Sequence, residues 1–168
     1  MKIGVISYLP ENDLKRRQAR NQQHEWLKSI FPNHEIVIVA QKYKVTDYID
    51  DNKIKYISFE QGIGPSRARN IILKEFYDSQ EDFLLLLDDD CILYDYYDGI
   101  ELLKELDEQP AKFKGIDNIV CNNPRYLPFK KENYKDKNVL KYWKFVKRPY
   151  NTGAPIAVYR NIKKYNQY

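Results

Sequence analysis

The sequence predicts an α/β fold, with a mostly parallel central sheet flanked by helices in one small domain. Strand-like apolar runs alternate along the chain with helical or loop segments, which is the order typical of a parallel sheet. The unbroken apolar run Phe83–Leu87 has the length of a strand buried on both faces, as in the centre of such a sheet. A chain of 168 residues, 43% hydrophobic, is long enough for one core and fits a single domain over residues 1–168.

Six segments rich in apolar or β-branched residues have the pattern of strands. They are Lys2–Ser7, Glu35–Ala40, Lys55–Phe59, Phe83–Leu87, Asn118–Cys121 and Pro155–Tyr159. Four segments are predicted as helices, the first capped by Asn12 or Asp13 and ended by Pro32. The first runs to about Phe31, and the other three span Thr46–Asp51, Ser66–Tyr77 and Ile100–Leu106. Residues 125–150 are basic and aromatic, and are expected to form a loop region or an extra helix near Val139–Val146. The last residues, 160–168, are expected to be a polar tail or a short helix.

The charge is divided unevenly along the chain. Residues 1–108 contain 14 Lys and Arg against 21 Asp and Glu, a net charge of −7, whereas residues 109–168 contain 14 against 3, a net charge of +11. The net charge of the whole chain is +4. The basic last third could face an anionic acceptor, a nucleic acid or a lipid headgroup, although a solvated lysine-rich face is the simpler interpretation. No apolar run approaches the length of a membrane span, and no spacing of Cys and His indicates zinc. Buried, reduced Cys91 and Cys121 and the lack of a signal peptide favour the cytoplasm.

Three consecutive carboxylates follow the central apolar strand. In an extended chain residues i and i+2 point the same way, so Asp88 and Asp90 could converge on one site. Open α/β sheets bind their ligands at the carboxyl ends of the strands. Hard carboxylate oxygens suit Mg²⁺ or Mn²⁺, which often share their coordination with substrate phosphates. A cap for the following helix would need only one or two acids, so we expect a cation site.

An anion-binding helix start precedes this strand in the sequence. The segment 64–70 reads Gly-Pro-Ser-Arg-Ala-Arg-Asn, in which Ser66 could cap the helix. Free N–H groups and the helix dipole attract anions there, and Arg67 and Arg69 add permanent charge. The alternative is that this segment binds no ligand and forms a Gly-Pro turn with exposed arginines. Together with an acidic site one strand later, the pattern predicts a site for a diphosphate and a metal ion.

The combination of Gly-x-x-x-Ala-Arg-Asn with Phe-Leu-Leu-Leu-Leu-Asp-Asp-Asp resembles the family-2-like glycosyltransferases of the GT-A fold. The first strand and turn, up to Pro10, and the late segment 151–160 are also similar, so the resemblance covers about residues 2–160. It implies a GT-A-like, Rossmann-like domain. Residues 1–108 would form its nucleotide-sugar-binding half, and residues 109–168 its basic, aromatic acceptor-side half.

The resemblance also implies roles for individual residues, carried over by position. Tyr8 and Pro10 would border the nucleobase, Arg69 would contact the nucleotide, and Ser66, Arg67 and Asn70 would support the same pocket. Asp88 and Asp89 would lie near the ribose, and Asp90 would bind the metal ion, Mn²⁺ or Mg²⁺. The implied substrate is a nucleoside-diphosphate sugar.

Two departures from the family pattern bear on function. The place after strand two where the family has an acid holds Ala-Gln-Lys, so Gln41 could hydrogen-bond a base edge but a uracil preference is not implied. An inverting enzyme also needs a carboxylate that deprotonates the acceptor hydroxyl. No Asp or Glu follows Asp136. Either Glu132 or Asp136 takes that role, or a partner chain in an oligomer supplies it. The remaining possibility is that the chain is a reduced or inactive member of the family.

Three other functions fit the same residues. A nucleotidyltransferase would use similar metal and diphosphate chemistry but release pyrophosphate. A non-catalytic module would bind nucleotide without turnover. A nucleic-acid-binding protein would use the basic, aromatic last third. The leading hypothesis is a metal-dependent glycosyltransferase.

Overall fold

The first 93 residues and five shorter stretches define the architecture. A computed structural model describes residues 1–93, 98–113, 118–121, 125–126, 143–146 and 156–165. The strands there are β1 (Lys2–Tyr8), β2 (Ile36–Gln41), β3 (Ile54–Phe59), β4 (Phe83–Asp88), β5 (Cys91–Ile92), β6 (Asn118–Cys121), β7 (Arg125–Tyr126), β8 (Trp143–Val146) and β9 (Ile156–Arg160). The α-helices are α1 (Leu14–Ile30), α2 (Pro65–Tyr77), α3 (Asp98–Glu108) and α4 (Ile162–Tyr165), with 3₁₀ turns at Val45–Asp47 and Pro110–Phe113.

Seven strands form the central sheet, in the order β3-β2-β1-β4-β9-β6-β8. The first four are parallel neighbours, joined by crossovers that include α1 and α2. Strand β9 pairs antiparallel with both β4 and β6, and β8 pairs antiparallel with β6. Strands β5 and β7 form a separate two-stranded sheet. The predicted α/β architecture is confirmed, and β1, β2 and β4 end together at one edge of the sheet.

Helices cover both faces of the sheet. On one face, Leu27 of α1 and Leu103 and Leu106 of α3 pack with inward side chains of the sheet such as Leu85. On the other face, Ile72 and Phe76 of α2 pack with alternate residues of the strands. Every side chain of Phe83–Leu87 is buried, because the run lies between these two layers.

Helix α2 lies unusually close to β1 because of a glycine. A Cβ placed on Gly4 would come within 2.4 Å of Ile72 Cγ2, which is far inside van der Waals contact. At the start of α2, Gly64 is the N-cap with φ of 81°, a conformation that glycine adopts without steric cost. Pro65 occupies the first helical position, where its missing N–H leaves no bond unmade.

Several local predictions are corrected in detail. Asp13, not Asn12, caps α1, since its Oδ1 accepts a hydrogen bond from Arg16 N at 3.0 Å. Gly64 rather than Ser66 caps α2. The helix predicted over Thr46–Asp51 is only the 3₁₀ turn Val45–Asp47, and the chain after residue 160 contains the short α4.

The extra helix that was one alternative near Val139–Val146 is a wrong prediction for the last four of these residues. Trp143–Val146 pairs with β6 as a strand, and its aromatic residues and Val146 are types that are common in sheets. Residues 139–142 lie outside the described residues. Cys91 is buried and forms no disulfide with another described residue, as expected. Among the helices of the described ranges, none has the length and apolarity of a membrane span.

Candidate functional site

A cavity of about 430 Å³ opens where β1, β2 and β4 end. The register brings these ends together, since Tyr8 pairs with Gln41 and Ile6 pairs with Asp88. Among the described residues, the cavity is lined by Ile6, Tyr8, Arg16, Gln41, Gly62, Gly64, Pro65, Asp88, Asp89 and Asp90. The three acids and the start of α2 therefore face one space, as the sequence predicts for a parallel sheet.

Asp89 is the most buried of the three acids. Its Oδ2 accepts hydrogen bonds from Ser7 Oγ at 2.5 Å and from Tyr8 N at 3.0 Å, and Arg16 Nη1 lies 3.4 Å from its Oδ1. Burial raises the pKa of Asp89 to about 6, because these partners offset only part of the desolvation. Its side chain therefore fastens the end of β1 to the acidic turn.

Asp88 is paired with a buried arginine of α2. Arg69 Nη2 lies 3.0 Å from Asp88 Oδ1 and 3.3 Å from Oδ2. Burial raises the pKa of Asp88, and the positive charge of Arg69 counteracts this effect while the negative charge of Asp90 adds to it. Arg69 does not line the cavity among the described residues, so its implied contact with a nucleotide remains a prediction.

Of the three acids, Asp90 has the fewest protein partners that would compete with a metal ion for its carboxylate. The structure gives its side chain no hydrogen bond or ion pair with another described residue, although it lines the cavity beside Asp88. In the described part of the chain, no group of three or more Asp, Glu, His or Cys side chains is arranged to enclose a metal ion. Two carboxylates facing a cavity fit Mg²⁺ or Mn²⁺ when ligand phosphates and water complete the coordination.

Tyr8 gives the cavity an aromatic wall, and two cations lie near its ring. The Arg16 guanidinium lies 5.7 Å and the Lys42 ammonium 5.8 Å from the centre of the Tyr8 ring. Arg16 Nη1 also donates to the Tyr8 carbonyl oxygen at 3.2 Å. A Cβ on Gly62 would approach Tyr8 Cε2 to 3.2 Å, so a glycine there leaves room for the ring.

Gln41 closes the far end of this wall. Its side chain is buried, and its Oε1 accepts a hydrogen bond from Ile63 N at 2.8 Å. This bond ties the end of β2 to the loop before α2. The following residue, Lys42, has φ of 59°, which turns the chain sharply away from the cavity edge.

The start of α2 lies at the cavity. Gly64 provides no side-chain cap, and Gly64 and Pro65 line the space. The first N–H groups of a helix and its dipole favour an anion there. Ser66, Arg67 and Asn70 are exposed and do not line the cavity among the described residues.

The structure therefore collects five of the predicted residues in one cavity, namely Tyr8, Gln41, Asp88, Asp89 and Asp90. Pro10 is half-buried outside its lining. Glu132 and Asp136 lie outside the described residues. Arg16 lines the cavity but is not among the predicted site residues. Its place in the first turn after β1 could have identified it, because that turn lies at the carboxyl edge of the sheet.

Comparisons with known proteins support the family and the fold. The model of the family Glycosyl transferase family 2 matches residues 18–163. No curated protein matches the chain. A solved structure named as a nucleotide-diphospho-sugar transferase from Desulfovibrio desulfuricans G20 is similar, with a TM-score of 0.54 and 12% identity over 96% of this chain.

Two further solved structures show comparable similarity. CMP:2-keto-3-deoxy-manno-octonic acid synthetase, complexed with CTP, has a TM-score of 0.50 and 13% identity, covering 98% of this chain and 75% of that chain. The galactosyltransferase LgtC, in complex with donor and acceptor sugar analogues, has a TM-score of 0.45 and 13% identity, covering 100% of this chain. The chain spans 64% of the Desulfovibrio protein and 60% of LgtC.

Proposed function

Because this chain belongs to glycosyl transferase family 2, we propose that it transfers a sugar from a nucleoside-diphosphate donor in a metal-dependent reaction. The observation that carries the proposal is the shared cavity. It joins carboxylates for a cation, backbone donors for an anion, and an aromatic wall for a base or sugar ring. This combination matches the parts of a metal-bound nucleoside diphosphate.

The acidic turn would hold the metal ion through Asp90, with Asp88 as its second carboxylate. Bound Mn²⁺ or Mg²⁺ would neutralise the charge of the departing diphosphate. Arg69 holds Asp88 through the ion pair at 3.0 Å, and so fixes one wall of the metal site. The N–H groups at the start of α2 would bind phosphate oxygens.

Asp89 would act indirectly, by keeping Tyr8 in place. Its bonds to Ser7 and to Tyr8 N fix the end of β1 relative to the acidic turn. The distance between the aromatic wall and the metal site is thereby set before a donor arrives. When the side chains of a site are already ordered, less of the binding free energy is lost in ordering them.

The base for the acceptor hydroxyl is proposed to be Glu132 or Asp136. Both belong to the basic last third, which would receive an acceptor carrying phosphate, such as a nucleic acid, a lipid or a glycan phosphate. A base supplied by a second chain in an oligomer is the alternative. We also propose a cytoplasmic setting, in which the buried Cys91 stays reduced.

The test is a panel of nucleotide sugars incubated with the protein in Mn²⁺ or Mg²⁺, with the released products identified. We expect a nucleoside diphosphate to be released, at a rate that falls in Asp90→Ala but not in Asp50→Ala, which alters an exposed acid elsewhere. Release of pyrophosphate instead would identify a nucleotidyltransferase. Binding without turnover would identify a binding module, and binding of nucleic acid that survives Asp90→Ala would favour the nucleic-acid hypothesis.

The proposed base has its own test. Glu132→Gln and Asp136→Asn are compared for kcat and for donor affinity. A base acts on the acceptor, so its loss should lower kcat strongly and leave the donor affinity unchanged. If neither variant lowers kcat, the base lies elsewhere.

A further inference from the structure

The cavity has an acidic end and a hydrogen-bond-donor end, separated by one strand. Asp88 ends β4 and Gln41 ends β2, with β1 between them. Two inter-strand spacings of about 4.8 Å place these ends about 10 Å apart. The ribose and 5′-phosphate of a nucleotide can bridge such a span. A diphosphate at the acidic end therefore brings the base to Gln41 and Tyr8.

The amide of Gln41 has a fixed orientation. Ile63 N–H can only donate, so the atom of Gln41 that it meets at 2.8 Å must be Oε1. The amide nitrogen, Nε2, is then the atom left for a ligand, since the structure gives the side chain of Gln41 no other hydrogen bond with a described residue. In the lining of the cavity, Gln41 consequently presents a donor and not an acceptor.

Lys42 strengthens this character of the donor end. Its ammonium group lies 5.8 Å from the centre of the Tyr8 ring and carries three donors and no acceptor. Arg16, on the same aromatic wall, also has donors only. Of the acids, Asp88 lies beyond β1, and Asp89 Oδ2 already accepts hydrogen bonds from Ser7 Oγ and Tyr8 N.

Resting on the proposed function, we infer that Gln41 selects a base whose ring nitrogen accepts a hydrogen bond, namely cytosine or adenine rather than uracil or guanine. Cytosine N3 and adenine N1 are acceptors that Nε2 can meet directly. Uracil N3–H and guanine N1–H are donors, so these bases can accept from Gln41 only at a carbonyl oxygen beside them. Their ring N–H then has no acceptor on this side chain, which weakens binding.

The first test compares matched pairs of diphosphates on the wild-type protein in Mn²⁺. We expect CDP to bind about tenfold more tightly than UDP, or ADP about tenfold more tightly than GDP, by calorimetry. Equal affinities within both pairs, or tighter binding of UDP and GDP, would overturn the inference while leaving the proposed function intact. If no nucleoside diphosphate binds at all, the proposed function itself fails.

The second test reverses the hydrogen-bond character of the same atom. In Gln41→Glu one carboxylate oxygen can still accept from Ile63 N, while the other replaces a donor with an acceptor. We expect the preference to change to UDP over CDP and to GDP over ADP. Gln80→Glu, which adds the same charge at an exposed position before β4, should leave the ranking unchanged.

A purely structural role for Gln41 gives a different result. Gln41→Glu would then weaken all four diphosphates equally, or lower the melting temperature without changing their order. Either outcome overturns the inference. If Gln41→Glu does not fold, the wild-type ranking decides alone.

Discussion

Asp47 and Asp89 both have little solvent exposure, but their surroundings shift their pKa values in opposite directions. Burial alone would raise the pKa of Asp47, but Arg17, at 2.7 Å and 3.3 Å, and the backbone N–H of Lys44, at 2.7 Å, outweigh it, and the pKa is lowered. Burial raises the pKa of Asp89 to about 6. Its close partners, Ser7 and the Tyr8 N–H, are neutral.

The difference separates an acid that stabilises the fold from an acid that belongs to a site. Asp47 anchors the loop after β2 to α1, and its charge is compensated by arginine. The carboxylates of residues 88–90 repel one another. Arg69 lies 3.0 Å from Asp88 and Arg16 lies 3.4 Å from Asp89, whereas Asp90 has no ion pair with another described residue. An excess of negative charge at the cavity is what a bound cation would neutralise.

The largest effect is expected from Asp47→Ala. Without this carboxylate Arg17 loses its ion pair, and the loop loses the hydrogen bond at Lys44 N. Arg17 is partly exposed and can reach water, so the main loss is that of the hydrogen bonds to the carboxylate, and the free energy of unfolding should fall by about 3 kcal/mol. Urea denaturation measures it, with exposed Asp50→Ala as the control. A loss as small as in the control would mean that Asp47 does not stabilise the fold.

The pH dependence should differ in sign between the two acids. The folded pKa of Asp89 is about 6 and its ordinary value is 3.8, so the folded state binds the extra proton between these values. Stability from this group is greatest below pH 3.8 and decreases as the pH rises through 6, by up to about 3 kcal/mol. Asp47 has a lowered pKa, so its contribution is present above pH 3.8 and is lost only as the pH falls through its folded value.

Asp89→Asn isolates this effect from other titrating groups. His24, whose pKa is lowered by burial, gives stability that increases as the pH rises through 6.5, so the wild-type curve alone is not diagnostic. The difference in unfolding free energy between wild type and Asp89→Asn, measured without metal from pH 4 to pH 7.5, should shift in favour of the variant as the pH rises. A difference that does not change with pH would contradict the raised pKa.

The stabilisation of the protein by bound ligand should require Asp90 of the acidic turn and should not require the exposed Asp50. With Mn²⁺ and a nucleoside diphosphate at about 100 times their dissociation constant, the folded state gains about 2.7 kcal/mol. The melting temperature should rise accordingly in wild type and in Asp50→Ala, and remain unchanged in Asp90→Ala. A full rise in Asp90→Ala would exclude Asp90 as a metal ligand.

The smallest effect is expected from Tyr43→Phe. Tyr43 Oη donates to Ser7 Oγ at 2.6 Å, and Ser7 in turn donates to Asp89. Burial raises the pKa of Tyr43 to about 12, so the hydroxyl keeps its proton throughout the working range. Its loss should cost about 1 kcal/mol of unfolding free energy. In a double-mutant cycle with Ser7→Ala the two costs should not add, and simple additivity would show that the bond is unimportant.

The sequence was sufficient for the frame of the fold but not for the roles of individual acids. An apolar run followed by acids predicts a central strand with a polar carboxyl end, and β4 has that form. Three identical residues in a row do not reveal which one turns inward. That depends on Ser7 and Tyr8, more than 80 positions earlier in the chain. The pairing of Arg69 with Asp88 likewise depends on how α2 packs, which no local pattern determines.

Backbone features were predicted where the signal was local. Asp13 caps α1 and Pro32 follows its end, because both effects act within one turn. The strand at Trp143–Val146 was not predicted, since its aromatic residues have no clear period and its pairing partner, β6, is about 20 residues away. Pairing between distant segments is the information that a local pattern lacks.

The glycine at position 4 determines more than the packing of one helix. It allows α2 to lie against β1 so closely that even a methyl group would meet Ile72. The same helix, at its other end, forms part of the cavity through Pro65. We expect an alanine at position 4 to displace Ile72 or α2, although residue 4 does not line the cavity among the described residues. The position of one cavity wall thus depends on a residue in the interior of the sheet.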